Sequence, residues 1–114
     1  MRLIIGLLRK EGFTITSKGT ANVPTAFIAE WGMGEPRLGV LVEYDALPGL
    51  GNEAVAHREP RKDHVQSGHG CGHNLQGSAA IGAALALKHL MSEQHIPGTL
   101  RGRGDRGGKD LYGT

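Results

Sequence analysis

Gly68-His69-Gly70-Cys71-Gly72-His73-Asn74 places a thiol and an imidazole two positions apart, with glycine before, between and beside them. Cysteine thiolate and histidine nitrogen are donors that suit zinc and neighbouring transition metals. Glycine lets the backbone turn tightly around an ion, because it tolerates positive φ and close approach. Ser78 to Glu93 reads as a helix, so both ligands are expected on a loop at a helix N-terminus. That end carries partial positive charge and favours an anionic ligand. Taken alone, Cys-x-His is a weak metal signal: a solvated glycine turn accommodates the same residues, and Cys71 is the only cysteine in the chain.

A second group of chemically capable residues lies upstream. Leu38-Gly39-Val40-Leu41-Val42 has the composition of a short buried strand and runs into Glu43-Tyr44-Asp45-Ala46-Leu47-Pro48-Gly49. Carboxylates at the C-terminal end of such a strand, before a Pro-Gly turn, occupy the place where open α/β sheets put active-site groups. Glu43 and Asp45 are two apart, so on extended chain they point the same way. One of them can then orient a ligating histidine through its other ring nitrogen. A strand that merely ends in solvated acids has the same composition.

The elements that must position these residues follow from spacing. Leu3, Ile4, Leu7 and Leu8 fall at helical intervals, and Gly12 closes the segment as a C-terminal glycine does. Met1 to Leu8 is too short an apolar run for a secretory leader, and Arg9-Lys10-Glu11 follows it directly. Phe13 to Ser17 alternates as an edge strand, and Thr25 to Trp31 reads as a second strand. Gly32-Met33-Gly34-Glu35-Pro36 reads as a hairpin turn into the strand ending at Glu43. Ala79, Ala80, Ala83, Ala84, Leu87 and Leu90 give the later helix a small-residue face, and His95 to Gly98 stops it before a short last strand. No internal repeat is present, and no apolar run approaches the ~18 residues of a membrane span.

Together the two motifs resemble the dinuclear metallo-amidohydrolases and metallopeptidases, the superfamily of aminoacylases, glutamate carboxypeptidases and indoleacetyl-amino-acid hydrolases. The resemblance rests on Glu43-Tyr-Asp-Ala-Leu-Pro-Gly-Leu50, followed by His69-Gly-Cys-Gly-His-Asn74 before an Ala/Gly-rich helix. Pro24-Thr-Ala-Phe-Ile-Ala29 and Gly98-Thr-Leu-Arg101 fit its p-aminobenzoyl-glutamate hydrolase branch, so the likeness covers residues 3–101. It implies an α/β fold, a partial mixed sheet flanked by helices, forming the first part of a zinc-peptidase-like catalytic domain over residues 1–101. It implies Asp45 as the catalytic aspartate behind a metal ligand, and Cys71 and His73 as ligands of a divalent metal, zinc or manganese, two ions in the full-length family. His69 and Asn74 share the motif without being taken as ligands. His57 and His64 fall in a polar loop, Asn52 to Gln66, and His89 and His95 on or beyond the later helix; all four are expected outside the site.

The implied activity is hydrolysis of an amide bond in an N-acyl amino acid or p-aminobenzoyl-glutamate-like small molecule. In the family the general base belongs to a Glu-Glu pair soon after the strand matching Gly98–Arg101, and further histidine ligands come much later. The chain holds no Glu-Glu pair, and Gly102 to Thr114 is a Gly/Arg-rich tail, disordered or frameshifted. Reading one base later through codons allowed for that tail permits Ala-Glu-Glu-Thr-Gly-Gly-Ala-Lys-Ile-Tyr-Met-Ala, close to the family segment. An inactive fragment with residual metal binding is therefore an alternative, and a cysteine hydrolase built on Cys71 is a disfavoured one. A charge of +2 in 114 residues suggests no nucleic-acid partner, and one cysteine excludes a disulfide scaffold. A reduced, cytoplasmic setting without a membrane partner is expected, with the oligomeric state open. Nineteen glycines and five aromatic residues leave little bulk for a core.

Overall fold

The computed structural model describes residues 1–105. In chain order it has α1 (Arg2–Lys10), β1 (Thr14–Lys18), a short 3-10 turn (Thr20–Asn22), β2 (Phe27–Met33), β3 (Arg37–Glu43), α2 (His73–Glu93) and β4 (Gly98–Asp105). The strands form one four-stranded mixed sheet in the order β1-β2-β4-β3. β1 and β2 are antiparallel, β2 and β4 are antiparallel, and β3 and β4 are parallel.

This order corrects the hairpin expectation. β2 and β3 are consecutive, yet β4 lies between them, with Trp31 and Leu38 both in register with Leu100. The intervening turn accommodates β4 by bonding to it: Thr99 donates its backbone N–H to the Pro36 carbonyl (2.9 Å) and its hydroxyl to the Gly34 carbonyl (2.8 Å). Glycine is required at residue 32, where φ is +87° and a Cβ would lie 2.3 Å from the Gly98 carbonyl oxygen. A turn that reads locally as a hairpin is thus a gap held open for a strand that arrives only after α2. β3 is consequently an edge strand among the described residues. Val42 is its buried residue, and Leu38 and Leu41 are exposed, unlike the buried strand expected.

The core lies on one face of the sheet. Phe27 and Ala29 of β2, Val42 of β3 and Leu100 of β4 meet Ile5 and Leu8 of α1, Phe13, and Ile81, Ala84 and Met91 of α2. Phe27 and Leu100 are the largest fully buried side chains, and Phe27 packs so closely over Gly104 that a Cβ there would lie 2.0 Å from its ring. The inward face of α2 overlaps the expected one in part: Ala84 is buried and Ala80 and Leu87 pack against the core, together with Gly77, Ile81 and Met91, whereas Ala79, Ala83 and Leu90 are exposed. α2 also starts at His73 rather than Ser78. β4 continues through Asp105, so the boundary placed after residue 101 falls inside it, and residues 106–114 of the expected tail lie outside the described residues.

Candidate metal and amide-hydrolysis site

β3 ends at Glu43, and the next two residues are fixed by packing rather than by the sheet. The Tyr44 hydroxyl donates to the Thr25 carbonyl, and its ring stacks on Phe27 with centroids 6.4 Å apart. With Tyr44 held, its neighbours Glu43 and Asp45 turn to the same side, as alternation on extended chain requires. Both reach His73.

His73 is the first residue of α2, following Gly72 in the left-handed conformation (φ +78°). That conformation suits glycine and lets the chain turn from the Cys71 loop straight into the helix. Gly77, four residues on and on the same face, makes the approach to β3 possible: a Cβ there would lie 2.5 Å from the Glu43 carbonyl oxygen. The loop before the helix is clamped to the end of β3 by paired backbone hydrogen bonds, Leu47 N–H to Gly68 O (2.9 Å) and Gly68 N–H to Leu47 O (3.0 Å). Gly68 is again a close approach, because a Cβ would meet the Leu50 carbonyl oxygen at 2.0 Å.

The outcome is a buried imidazole between two carboxylates. His73 Nδ1 lies 2.6 Å from Asp45 Oδ1, and Nε2 lies 3.2 Å from Glu43 Oε2. The side chains of Asp45 and His73 are 8% and 11% exposed, and that of Glu43 is 28% exposed, so the cluster opens toward solvent on the Glu43 side. The expectation that one carboxylate backs the histidine corresponds to the Asp45 contact. Glu43 is the residue that sequence reasoning omits from the site, although its i, i+2 relation to Asp45 is a signal for it. Tyr44 and Gly77 escape it too, since nothing local marks either as a contact point.

Cys71 is a free, exposed thiol on the loop two residues before His73. The chemistry of the donors fits a divalent metal: a thiol, and a histidine whose Nδ1 is engaged by a carboxylate, which leaves Nε2 as the donor. Among the described residues, no three His, Cys, Asp or Glu side chains are already gathered as a metal cage. His69 is exposed and serves the turn through its carbonyl, which accepts the Gly72 N–H at 2.8 Å. Asn74 is exposed, and its carbonyl accepts the Ser78 hydroxyl.

The other histidines stay away from this cluster. His57 pairs with Glu59 at 3.1 Å in the 52–66 loop, and His89 pairs with Glu93 at 3.2 Å on α2; both are exposed. That loop has internal order of its own. Asn52 Oδ1 accepts the Glu59 N–H (2.7 Å), Glu53 Oε1 accepts the Lys62 N–H (2.7 Å), and Arg61 Nε donates to Asp63 (2.8 Å). Arg61 and the Val65 N–H hold the Asp63 carboxyl down to about 2, below its ordinary range. Both His73 ring nitrogens face carboxylates, which leaves neither to activate Cys71 and counts against the cysteine-hydrolase alternative.

The sheet, the two carboxylates behind a helix-borne histidine and the Gly-Cys-Gly-His loop define part of the catalytic domain of a dinuclear metallo-amidohydrolase or metallopeptidase, the superfamily to which the chain belongs. Its relatives bear this out. The chain is 44% identical over 94 residues to one of the polypeptides of the Escherichia coli p-aminobenzoyl-glutamate hydrolase, covering 82% of this chain and 19% of that protein. It is 43% identical over 76 residues to a human Xaa-Arg dipeptidase, covering 58% of this chain and 13% of that one. Among solved structures, a Bacillus subtilis protein described as a dinuclear metal binding peptidase of the M20 family superposes with a TM-score of 0.68 at 27% identity, covering 93% of this chain and 28% of the other. No family model matches the chain. It spans under a third of the length of each of these relatives.

Proposed function

We propose that this chain contributes the histidine-orienting and metal-holding part of a hydrolase that cleaves an amide bond in an N-acyl amino acid or p-aminobenzoyl-glutamate-like substrate. The single observation that carries this reading is the 2.6 Å contact between the enclosed Asp45 carboxylate and Nδ1 of His73, which follows Cys71 by two residues in the chain. Asp45 fixes the tautomer and orientation of the ring so that Nε2 is presented as a donor. Cys71 and His73 would hold a divalent ion, with zinc favoured by the thiol and manganese by additional carboxylates. A bound ion supplies Lewis acidity toward the amide carbonyl. Tyr44 anchors the carboxylate-bearing segment, and Gly77 holds the helix against it.

On this reading residues 1–101 form the N-terminal part of the catalytic domain, and the substrate is a small molecule rather than a nucleic acid or membrane. No helix among the described residues is long and apolar enough to cross a membrane. An exposed thiol ligand suits the reducing cytoplasm. Hydrolysis of p-aminobenzoyl-glutamate and of N-acyl amino acids, assayed with added Zn²⁺ or Mn²⁺ and again after chelation, tests the proposal. Turnover that a chelator abolishes, and that Cys71→Ser or His73→Ala removes, is the expected result. Turnover that survives chelation, or that survives both substitutions, would contradict it.

A further inference from the structure

The 52–66 loop encloses a cleft that the His73 cluster does not use. Its volume is about 290 Å³, near the small end of ligand pockets, roughly 300–1,000 Å³. Arg58, Arg61, His64 and Gln66 line it beside Asn52, and among the described residues no aspartate or glutamate does. The acids of the loop are engaged within it: Glu53 accepts the Lys62 N–H, Glu59 pairs with His57, and Asp63 accepts from Arg61. Asn52 is a pin with its amide fully used, donating to the Glu53 and His57 carbonyls and accepting the Glu59 N–H. Gly51 fixes the opposite wall. Its N–H donates to the Gln66 carbonyl at 2.7 Å, and a Cβ there would lie 2.2 Å from the Val65 carbonyl oxygen.

Arg58 is the exception in this ordered loop, since no acceptor among the described residues holds its guanidinium. Unpaired arginines are common on surfaces. Arg58 differs in lining a cleft with fixed walls, where the His64 ring and the Gln66 amide are also without partners and able to donate. A guanidinium presents parallel N–H donors whose fork matches a carboxylate. We infer that this cleft binds a free carboxylate of the substrate, with Arg58 as the specificity-determining residue and His64 and Gln66 as supporting donors. N-acyl amino acids and p-aminobenzoyl-glutamate both carry that group. The identity of the ligand rests on the hydrolase reading proposed above; the cleft does not. One backbone ladder joins cleft and candidate site, with Gly51 paired to Gln66 and Leu47 to Gly68, three residues before Cys71. Arg58 holds the substrate and takes no part in breaking its amide bond.

Binding of p-aminobenzoyl-glutamate, its dimethyl ester and inorganic phosphate to the full chain, always with EDTA present, tests this apart from hydrolysis. The wild type is expected to prefer the free acid over the ester by about tenfold or more, the worth of a hydrogen bond to a charged group. Arg58→Ala should weaken the acid by that factor and leave the ester unchanged. Arg58→Lys keeps the charge without the planar fork, and should fall between wild type and Arg58→Ala. In the unmodified chain, the Arg58 Nε–H resonance should move on titration with the acid and stay in place with the ester. No binding of the acid, equal affinity for acid and ester, or full affinity for the acid in Arg58→Ala would overturn the inference. Phosphate binding as tightly as the acid would overturn it too, by showing a general anion site. Because EDTA removes metal throughout, each of these results leaves the reading of Cys71 and His73 standing. Turnover that survives chelation would contradict that reading without altering the binding result.

Discussion

At the scale of single residues, the candidate site is a histidine whose two ring nitrogens face two different carboxylates. Asp45 is enclosed and 2.6 Å from Nδ1, so its loss frees the ring to rotate and to change tautomer. We expect Asp45→Asn to keep the fold, by circular dichroism, while weakening Zn²⁺ by about tenfold to a hundredfold in competition with a chelating dye; unchanged affinity would show that the contact does not organise the ligand. A second residue-scale prediction concerns Asp63. The Arg61 hydrogen bond first, and the Val65 N–H after it, hold this carboxyl at about 2, against about 3.9 for an unperturbed aspartate. A depressed folded-state value means that the contact supports the loop fully above about pH 4 and is lost as pH falls through about 2. Carboxyl-carbon NMR should give a midpoint near the lower value, and one near 4 would contradict the pairing. Asp45, Cys71 and His73 can be proposed from the sequence because motif residues carry their chemistry in their type. Glu43 is half legible, since its direction can be read but its partner cannot.

Among the elements, α2 and the end of β3 make the site, and Gly77 sets their separation. Alanine is the better helix former by up to about 1 kcal/mol, yet a Cβ at residue 77 would lie 2.5 Å from the Glu43 carbonyl oxygen. Overpacking of this kind costs about 1–3 kcal/mol, so the steric term wins. Gly77→Ala should lower the melting temperature and weaken metal binding together, because His73 shares the displaced turn. Gly82, on the same helix with nothing within 4 Å, is the control: Gly82→Ala should raise the melting temperature. If both variants are stabilised, the close approach is not tight. The strand order is not legible in the sequence. Gly32 to Pro36 carries the signals of a tight turn, and no local signal announces that Thr99 will bond to the Gly34 and Pro36 carbonyls. The inward face of α2 is obscured for a related reason. Small residues surround the helix, so their periodicity gives no direction; Ile81 and Met91 determine it by bulk.

For the whole molecule, the decisive fact is a sheet with a packed core on one face and little bulk within it. Phe27 and Leu100 are fully buried, whereas Leu38 and Leu41 on edge strand β3, together with Leu75 on α2, remain exposed. With so few large side chains buried among the described residues, a small margin of stability is expected. Leu100→Ala, at about 2–5 kcal/mol, should abolish cooperative urea unfolding. A sharp transition retained in that variant would show a larger reserve than the core suggests. The superfamily is legible because its motifs are local strings, and the mixed α/β class follows from them. The arrangement that joins the strings depends on contacts such as that of Glu43 with His73, across the whole 52–66 loop, which no window of sequence displays.

The most direct measurement is the metal content of the purified 114-residue chain by mass spectrometry, beside His73→Ala and Cys71→Ser. A divalent ion that co-purifies with the wild type and is lost from both variants is the result expected of a Cys71–His73 metal site. Absence of metal from the wild type after saturation with Zn²⁺ or Mn²⁺, or retention of the ion in both variants, would contradict it.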